Sequence, residues 1–177
     1  MRLTTSRLTL EPLGMDYFES THHYSSDAEN CRYMFRLPHD GEEETRLFLQ
    51  QCEEEWKKSQ PSFYEFAVLL DGIHIGAVSA YIEDGSAELG WILDKRYWGQ
   101  GYAFEAAFAL LQFCQDLGVC HFIAHCDDRN SASKRIMEKL GMTLTLCCGG
   151  RKNRASEELG TECIYELTLA QHPAYML

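Results

Sequence analysis

Leu93-Asp94-Lys95-Arg96-Tyr97-Trp98-Gly99-Gln100-Gly101-Tyr102-Ala103-Phe104-Glu105-Ala106 runs from a strand pattern directly into a helix pattern. Glycines and the small Ala103 at such a junction let several backbone N–H groups turn toward one point. That point lies at the positive end of the helix dipole and suits a phosphate or pyrophosphate. Two familiar phosphate loops are excluded. A P-loop requires a Lys-Ser/Thr pair after its second glycine, and none follows here. A dinucleotide fingerprint requires glycine where Phe104 stands. Taken alone, Gly99 and Gly101 are equally consistent with a plain tight turn.

Upstream, Phe63 to Leu70, Ile73 to Ile82 and Ala87 to Leu93 are separated by Asp71-Gly72 and Glu83-Asp84-Gly85, the pattern of an antiparallel three-strand meander. Before it, Arg7-Leu8-Thr9-Leu10-Glu11 alternates as a strand ended by Pro12, and a weakly patterned helical stretch is expected to about Phe35. Asp40-Gly41-Glu42-Glu43 has the form of a capping box for a helix to Lys58, with Thr45, Phe48, Leu49, Cys52 and Trp56 on its apolar face. Downstream, a helix from Tyr102 to Leu117 carries Phe104, Ala107, Phe108, Leu111 and Cys114 as its stripe and stops at Gly118. Val119 to Cys126 is a strand, Asn130 caps a short helix to Leu140, and Gly141 ends it. Thr143 to Cys148 and Cys163 to Leu169 are two further strands, with Gly149 to Gly160 expected as a flexible loop. Strands grouped first, then alternating with helices, predict an α+β sheet with helices on both faces.

The chain has 177 residues and 45% hydrophobic content, which fits one domain over 1–177 with its own core. A net charge of −11 repels nucleic-acid phosphate and anionic lipid, so neither is expected as a partner. The segment from Asp40 to Gln60 alone carries seven acids against three bases, a solvated helix face or a docking face for a cationic partner. No apolar run approaches a membrane span and the first twenty residues lack a signal-peptide pattern, so the protein is expected in the cytoplasm. The eight cysteines form no C-x-x-C pair, are expected to be reduced, and give no zinc motif.

Three segments together carry a family resemblance: Ala87-Glu88-Leu89-Gly90-Trp91-Ile92-Leu93, then Tyr97 to Ala106, then Asn130-Ser131-Ala132-Ser133 with Glu138-Lys139-Leu140-Gly141-Met142. In this order they resemble the GCN5-related N-acetyltransferases (GNAT), most closely the RimJ/RimL branch that acetylates protein N-termini. The resemblance implies the GNAT fold, an α/β arrangement around a mixed, mostly antiparallel sheet of about six or seven strands. The family signature is Arg or Gln, two residues, Gly, one residue, Gly or Ala. It fits from Arg96, with Gly99 and Gly101, and, with Trp standing where many members have Arg, from Trp98, with Gly101 and Ala103. The second register leaves Leu93 eight residues before the first signature glycine, where the family's pantetheine-binding strand ends, and we prefer it.

The resemblance implies acetyl-coenzyme A as donor, with no metal, and direct attack of an amine on the thioester. Trp98, Gly99, Gln100, Gly101, Tyr102 and Ala103 are then expected around the pyrophosphate, and backbone groups of Ile92 and Leu93 along the pantetheine arm. Asn130, also a helix cap by its own pattern, is assigned to a pantetheine amide. Ser133 is assigned to the sulfur, because Met137, where many relatives carry a tyrosine acid, cannot donate a proton. Glu88, acting through a water, is the first candidate for the base; His125 and Glu162 are weaker ones. An α-amino group has a pKa near ~8 and lysine near ~10.4, so a peptide N-terminus demands less of that base. The acceptor expected is an amine-bearing peptide. A small amine such as an amino acid, polyamine or aminoglycoside is the alternative, followed by a non-catalytic acyl-coenzyme A sensor. A monomer and a homodimer both stay open.

Overall fold

The computed structural model describes residues 1–170. Residues 171–177, part of the domain expected over 1–177, lie outside the described residues. Eight strands form among the described residues: β1 (Leu3–Thr4), β2 (Leu8–Pro12), β3 (Phe63–Leu70), β4 (Ile73–Glu83), β5 (Ser86–Leu93), β6 (His121–Asp127), β7 (Thr143–Lys152) and β8 (Leu159–Thr168). The helices are α1 (Phe18–Ser25), α2 (Glu42–Trp56), α3 (Tyr102–Asp116) and α4 (Ser131–Lys139). The strands make one sheet in the order β1-β2-β3-β4-β5-β6-β8-β7, antiparallel throughout except for the β5–β6 pair. This is the α+β architecture expected, with an additional short edge strand, β1.

The two-residue side-chain period of the strands divides the core. Leu10, Phe66, Val68, Val78 and Ala80 face α3, where Ala106, Leu110 and Phe113 cover them. Phe63, Ala67 and Ala77 project to the opposite face, where Leu49 and Cys52 of α2 meet them. Helices therefore cover both faces. The apolar face read for α2 packs inward as expected, and in α3 Ala107, Leu111 and Cys114 of the expected stripe are buried, but the buried face is wider than that stripe. Phe108 is exposed and stacks on Phe104 at the surface, while Ala106, Leu110 and Phe113 point inward. This helix is apolar almost all round, so its pattern alone does not fix which side turns to the sheet.

Three further expectations are corrected. The helical stretch toward Phe35 ends at Ser25, and turns follow it. The capping box is half formed. Gly41 is the N-cap without a side-chain bond, Glu44 Oε2 accepts from Asp40 N–H at 2.8 Å, and the Asp40 carboxylate pairs with Arg154 instead. The flexible loop expected from Gly149 to Gly160 is mostly hairpin, since β7 runs to Lys152 and β8 starts at Leu159. Gly150, at φ +94°, absorbs a register shift between Gly149 and Arg151 that lets pairing continue.

Candidate active site

β5 pairs with β4 from end to end but with β6 over only three positions: Ser86 with His121, Ala87 with Phe122 and Glu88 with Ile123. Beyond Glu88 the two strands part, and each is held on its far side by β4 or β8. A strand edge released in this way presents N–H and C=O groups that can bond an extended ligand as a further strand. Gly90, Trp91 and Ile92 lie on that edge. Leu93, the expected end of the strand, is buried, and its carbonyl already accepts from Trp98 Nε1–H at 2.9 Å and Asn30 Nδ2–H at 3.2 Å. The free pairing capacity thus belongs to the residues just before it.

The glycine junction follows at once. Asp94 caps a 3-10 turn over Lys95–Tyr97 by accepting from Arg96 N–H, and it also binds the Arg96 guanidinium, with Nε 3.0 Å from Oδ1. Arg96 is thereby turned back on its own turn, and Trp98 on Leu93, so neither possible first signature residue offers a side chain to the loop. Gly99 (φ +75°) and Gly101 (φ +83°) occupy the left-handed region that side chains disfavour. A Cβ on Gly99 would meet nothing within 4 Å, so that glycine leaves room above the loop. Gly101 is the N-cap of α3 and has no side-chain cap, which leaves the first-turn N–H groups of Tyr102 and Ala103 free for an anion.

Two residues that the sequence pattern did not single out hold this corner. Asn30, buried in the segment after α1, accepts from Lys95 N–H at 2.7 Å while donating to Leu93. Arg7, on the approach to β2, binds Glu105 of α3 at 2.6 Å, donates to the Gln100 carbonyl at 3.0 Å and lies 4.4 Å over the Tyr102 ring. Both contacts link positions more than sixty residues apart, which no local motif encodes.

α4 opens across the fork from β5. Asn130 caps it by accepting from Ser133 N–H at 3.1 Å, as its pattern predicts. Ser133 Oγ accepts from the indole Nε1–H of Trp91 at 2.9 Å, a link between β5 and α4 absent from the sequence reading. Met137 is buried in the core beneath.

On the other face stand Glu88, Tyr81, His125 and Glu162. Glu88 is exposed at the apex of the fork, paired with Tyr81 on β4 and Ile123 on β6. His125 follows two residues after Ile123 and lies 3.5 Å from Glu162, whose carboxylate is held by Arg151 at 2.7 Å. Arg151 Nη2 also donates to the Tyr33 carbonyl at 3.2 Å, and Arg154 donates to Arg36 O and binds Glu44 at 2.6 Å. The β7–β8 hairpin tip is thus tied to the segment between α1 and α2, and together they border this face. Deeper in, Glu65 of β3 is only 7% exposed and makes no hydrogen bond or ion pair through its carboxyl among the described residues. Burial pushes its pKa up to about 8, and its charge bears on Tyr24, Cys52 and Tyr81.

Residues 7–143 match the family model described as an acetyltransferase (GNAT) domain. The uncharacterized N-acetyltransferase YnaD of Bacillus subtilis (strain 168) is 28% identical over 149 residues, spanning 80% of this chain and 82% of its own. Among solved structures, RimL, a ribosomal L7/L12 alpha-N-protein acetyltransferase in complex with coenzyme A, superposes with a TM-score of 0.83 at 19% identity, covering 96% of this chain and 98% of that one. A spermidine N-acetyltransferase from Vibrio cholerae, in complex with CoA and spermine, gives 0.79 at 16% identity, covering 93% and 96%.

Proposed function

The chain belongs to the GNAT acetyltransferase family, and from that premise we propose that it transfers an acetyl group from acetyl-coenzyme A to the α-amino group of a protein or peptide, as the RimJ/RimL branch does. The observation that carries this reading is the fork between β5 and β6, opening directly onto an uncapped helix start with two left-handed glycines. One end accepts an extended amide chain and the other an anion, which are the two parts of coenzyme A. When bound, acetyl-coenzyme A supplies the electrophilic carbonyl and the leaving sulfur.

The residues of this chain do the rest. Backbone N–H groups of Gly99, Gly101, Tyr102 and Ala103, with Trp98 and Gln100 shaping the loop, hold the pyrophosphate. Main-chain groups at Ile92 and its neighbours pair with the pantetheine arm, Leu93 closing that edge, and Asn130 Nδ2 donates to one of the arm's amides. Glu88 takes the amine proton through a water, and Ser133 solvates or protonates the sulfur. Positioning the two reactants and stabilising developing charge are the effects such a site supplies. We further read the 177 residues as one cytoplasmic domain acting as a monomer or a homodimer, without metal.

The small-amine reading is retained because the acceptor-side face carries the carboxylates of Glu88 and Glu162, which would also suit a polyamine. A thiol-release assay with acetyl-coenzyme A against peptide N-termini, polyamines, amino acids and aminoglycosides tests the proposal. The expected result is turnover of one or more peptides at a higher kcat/KM than any small amine. Release of thiol with small amines alone would transfer the function to the alternative, and none with any acceptor would favour an acyl-coenzyme A sensor.

A further inference from the structure

Ser133 Oγ is 2.9 Å from Trp91 Nε1, and an indole N–H can only donate. The hydroxyl must therefore spend a lone pair on Trp91 and cannot spend its proton there. Two other routes for that proton are open in principle on a helix. A serine can bond back to the carbonyl four residues earlier, or to its cap residue. Neither occurs among the described residues: Asn130 Oδ1 accepts from the Ser133 backbone N–H, and the bond that Ser133 Oγ makes, to Trp91, is one it accepts. Asn, His or Tyr at position 91 could accept that hydrogen and neutralise the serine as a donor. Tryptophan leaves it available.

The location adds to this. The β5–β6 pairing ends at Glu88 and Ile123, so Trp91 lies on the released part of β5 and its side chain reaches the first turn of α4 across the fork. A hydroxyl that accepts one hydrogen bond is also polarised to donate a stronger one. We propose that Trp91 is a positioning residue that holds the Ser133 hydroxyl as a hydrogen-bond donor toward the departing sulfur. This rests on the role of Ser133 given above. Ser133 donates its proton to the sulfur as the C–S bond breaks and regains one from solvent. Glu88, through a water, takes the proton released as the N–C bond forms. Amine and thioester become amide and thiol with no net change in protons.

The test has two arms. In the first, Trp91→Phe keeps the ring and removes the donor. One lost hydrogen bond to a reacting group predicts a fall in kcat of about three- to ten-fold, with KM for the coenzyme unchanged. In a Ser133→Ala background the same substitution should cost nothing further. Equal losses in both backgrounds, or no loss in either, overturn the proposal by reducing Trp91 to packing or to nothing. The second arm needs neither turnover nor a Trp91 variant. In the ligand-free protein the Trp91 indole N–H resonance should shift and exchange faster with solvent in Ser133→Ala than in the wild type; an unmoved resonance refutes the bond. A Ser133→Ala enzyme with wild-type kcat removes Ser133 from the mechanism and the proposal with it. An impaired Ser133→Ala beside an unimpaired Trp91→Phe sinks the proposal alone.

Discussion

Replacing Glu65 with glutamine should stabilise the protein at pH 8 and change it little at pH 5. In the folded chain the carboxyl is buried without a cation beside it among the described residues, and burial raises its pKa from the ordinary value of 4.5 to about 8. The direction matters. A carboxyl raised in the fold gives stability that is complete below its unfolded pKa and is lost as pH rises through the folded one, because the unfolded state sheds a proton that the folded state retains. Between pH 5 and 8 the loss approaches the full linkage slope of about 1.4 kcal/mol per pH unit, so the wild type should lose roughly 3 kcal/mol that the glutamine variant keeps. For a chain of this size that corresponds to a melting-temperature difference on the order of 10 °C. The assay is urea unfolding of both proteins at pH 5, 6, 7 and 8, reading the difference between them. Taking the difference also removes His74, whose pKa burial lowers to about 4 and whose contribution therefore falls away below pH 6.5 in both proteins alike. Parallel pH dependences would refute the reasoning, since they would mean that Glu65 is ionised in the native state beside a compensating cation.

Coenzyme A should raise the melting temperature in proportion to RT ln(1 + [L]/Kd), about 2.7 kcal/mol at 100 Kd, and Gly101→Val should abolish the shift because a β-branched residue opposes φ +83° at the anion-facing helix start; normal binding by a folded variant would move the pyrophosphate elsewhere. The rate should rise with pH through an apparent pKa near ~7 to 8, and Glu88→Gln should lower kcat by about a hundred-fold, while His125→Gln and Glu162→Gln change it less; an unaltered profile in the Glu88 variant would take that residue out of the chemistry. If the acidic exterior attracts a basic peptide, kcat/KM for it should fall with salt and stay flat for a neutral peptide, measured between low and physiological ionic strength.

What could be read from the chain follows the range of the forces involved. Gly101 at the start of α3, Asn130 at the start of α4 and Gly141 after it are decided within one helical turn, and each stands where its pattern put it. The meander from Phe63 to Leu93 is likewise local, set by alternation and by two turns whose Asp71 and Asp84 adopt positive φ beside Gly72 and Gly85. The fork itself was not legible, because it depends on where β6 stops pairing with β5, and nothing in Leu89 to Leu93 marks that point. Asn30 escaped notice for the same reason: a single buried carboxamide in an irregular segment shows no period, although it bonds both Leu93 and Lys95. The hairpin from Gly149 to Lys152 was hidden by its glycines, which signal a loop by composition. The structure instead uses them to cross a register shift, and closes the far end by burying Asn153 against Asp127.

The alternation of β5 also determines how the site is divided. Glu88, Gly90 and Ile92 turn toward the face that carries α1 and α2, whereas Leu89, Trp91 and Leu93 turn toward α3 and α4. Glu88, proposed as the base, and Trp91, which reaches the proposed acid Ser133, therefore stand on opposite faces of β5 at the point where it leaves β6. With the roles proposed above, an amine would approach from the Glu88 side and the sulfur would leave toward Ser133, on the other face. Such a separation would keep the Ser133 hydroxyl from donating to the Glu88 carboxylate, as it could if both stood on one face at hydrogen-bond distance. It follows that exchanging the residues at 88 and 91 should not yield a working enzyme even though both stay on β5, since each would face the half of the reaction that requires the other.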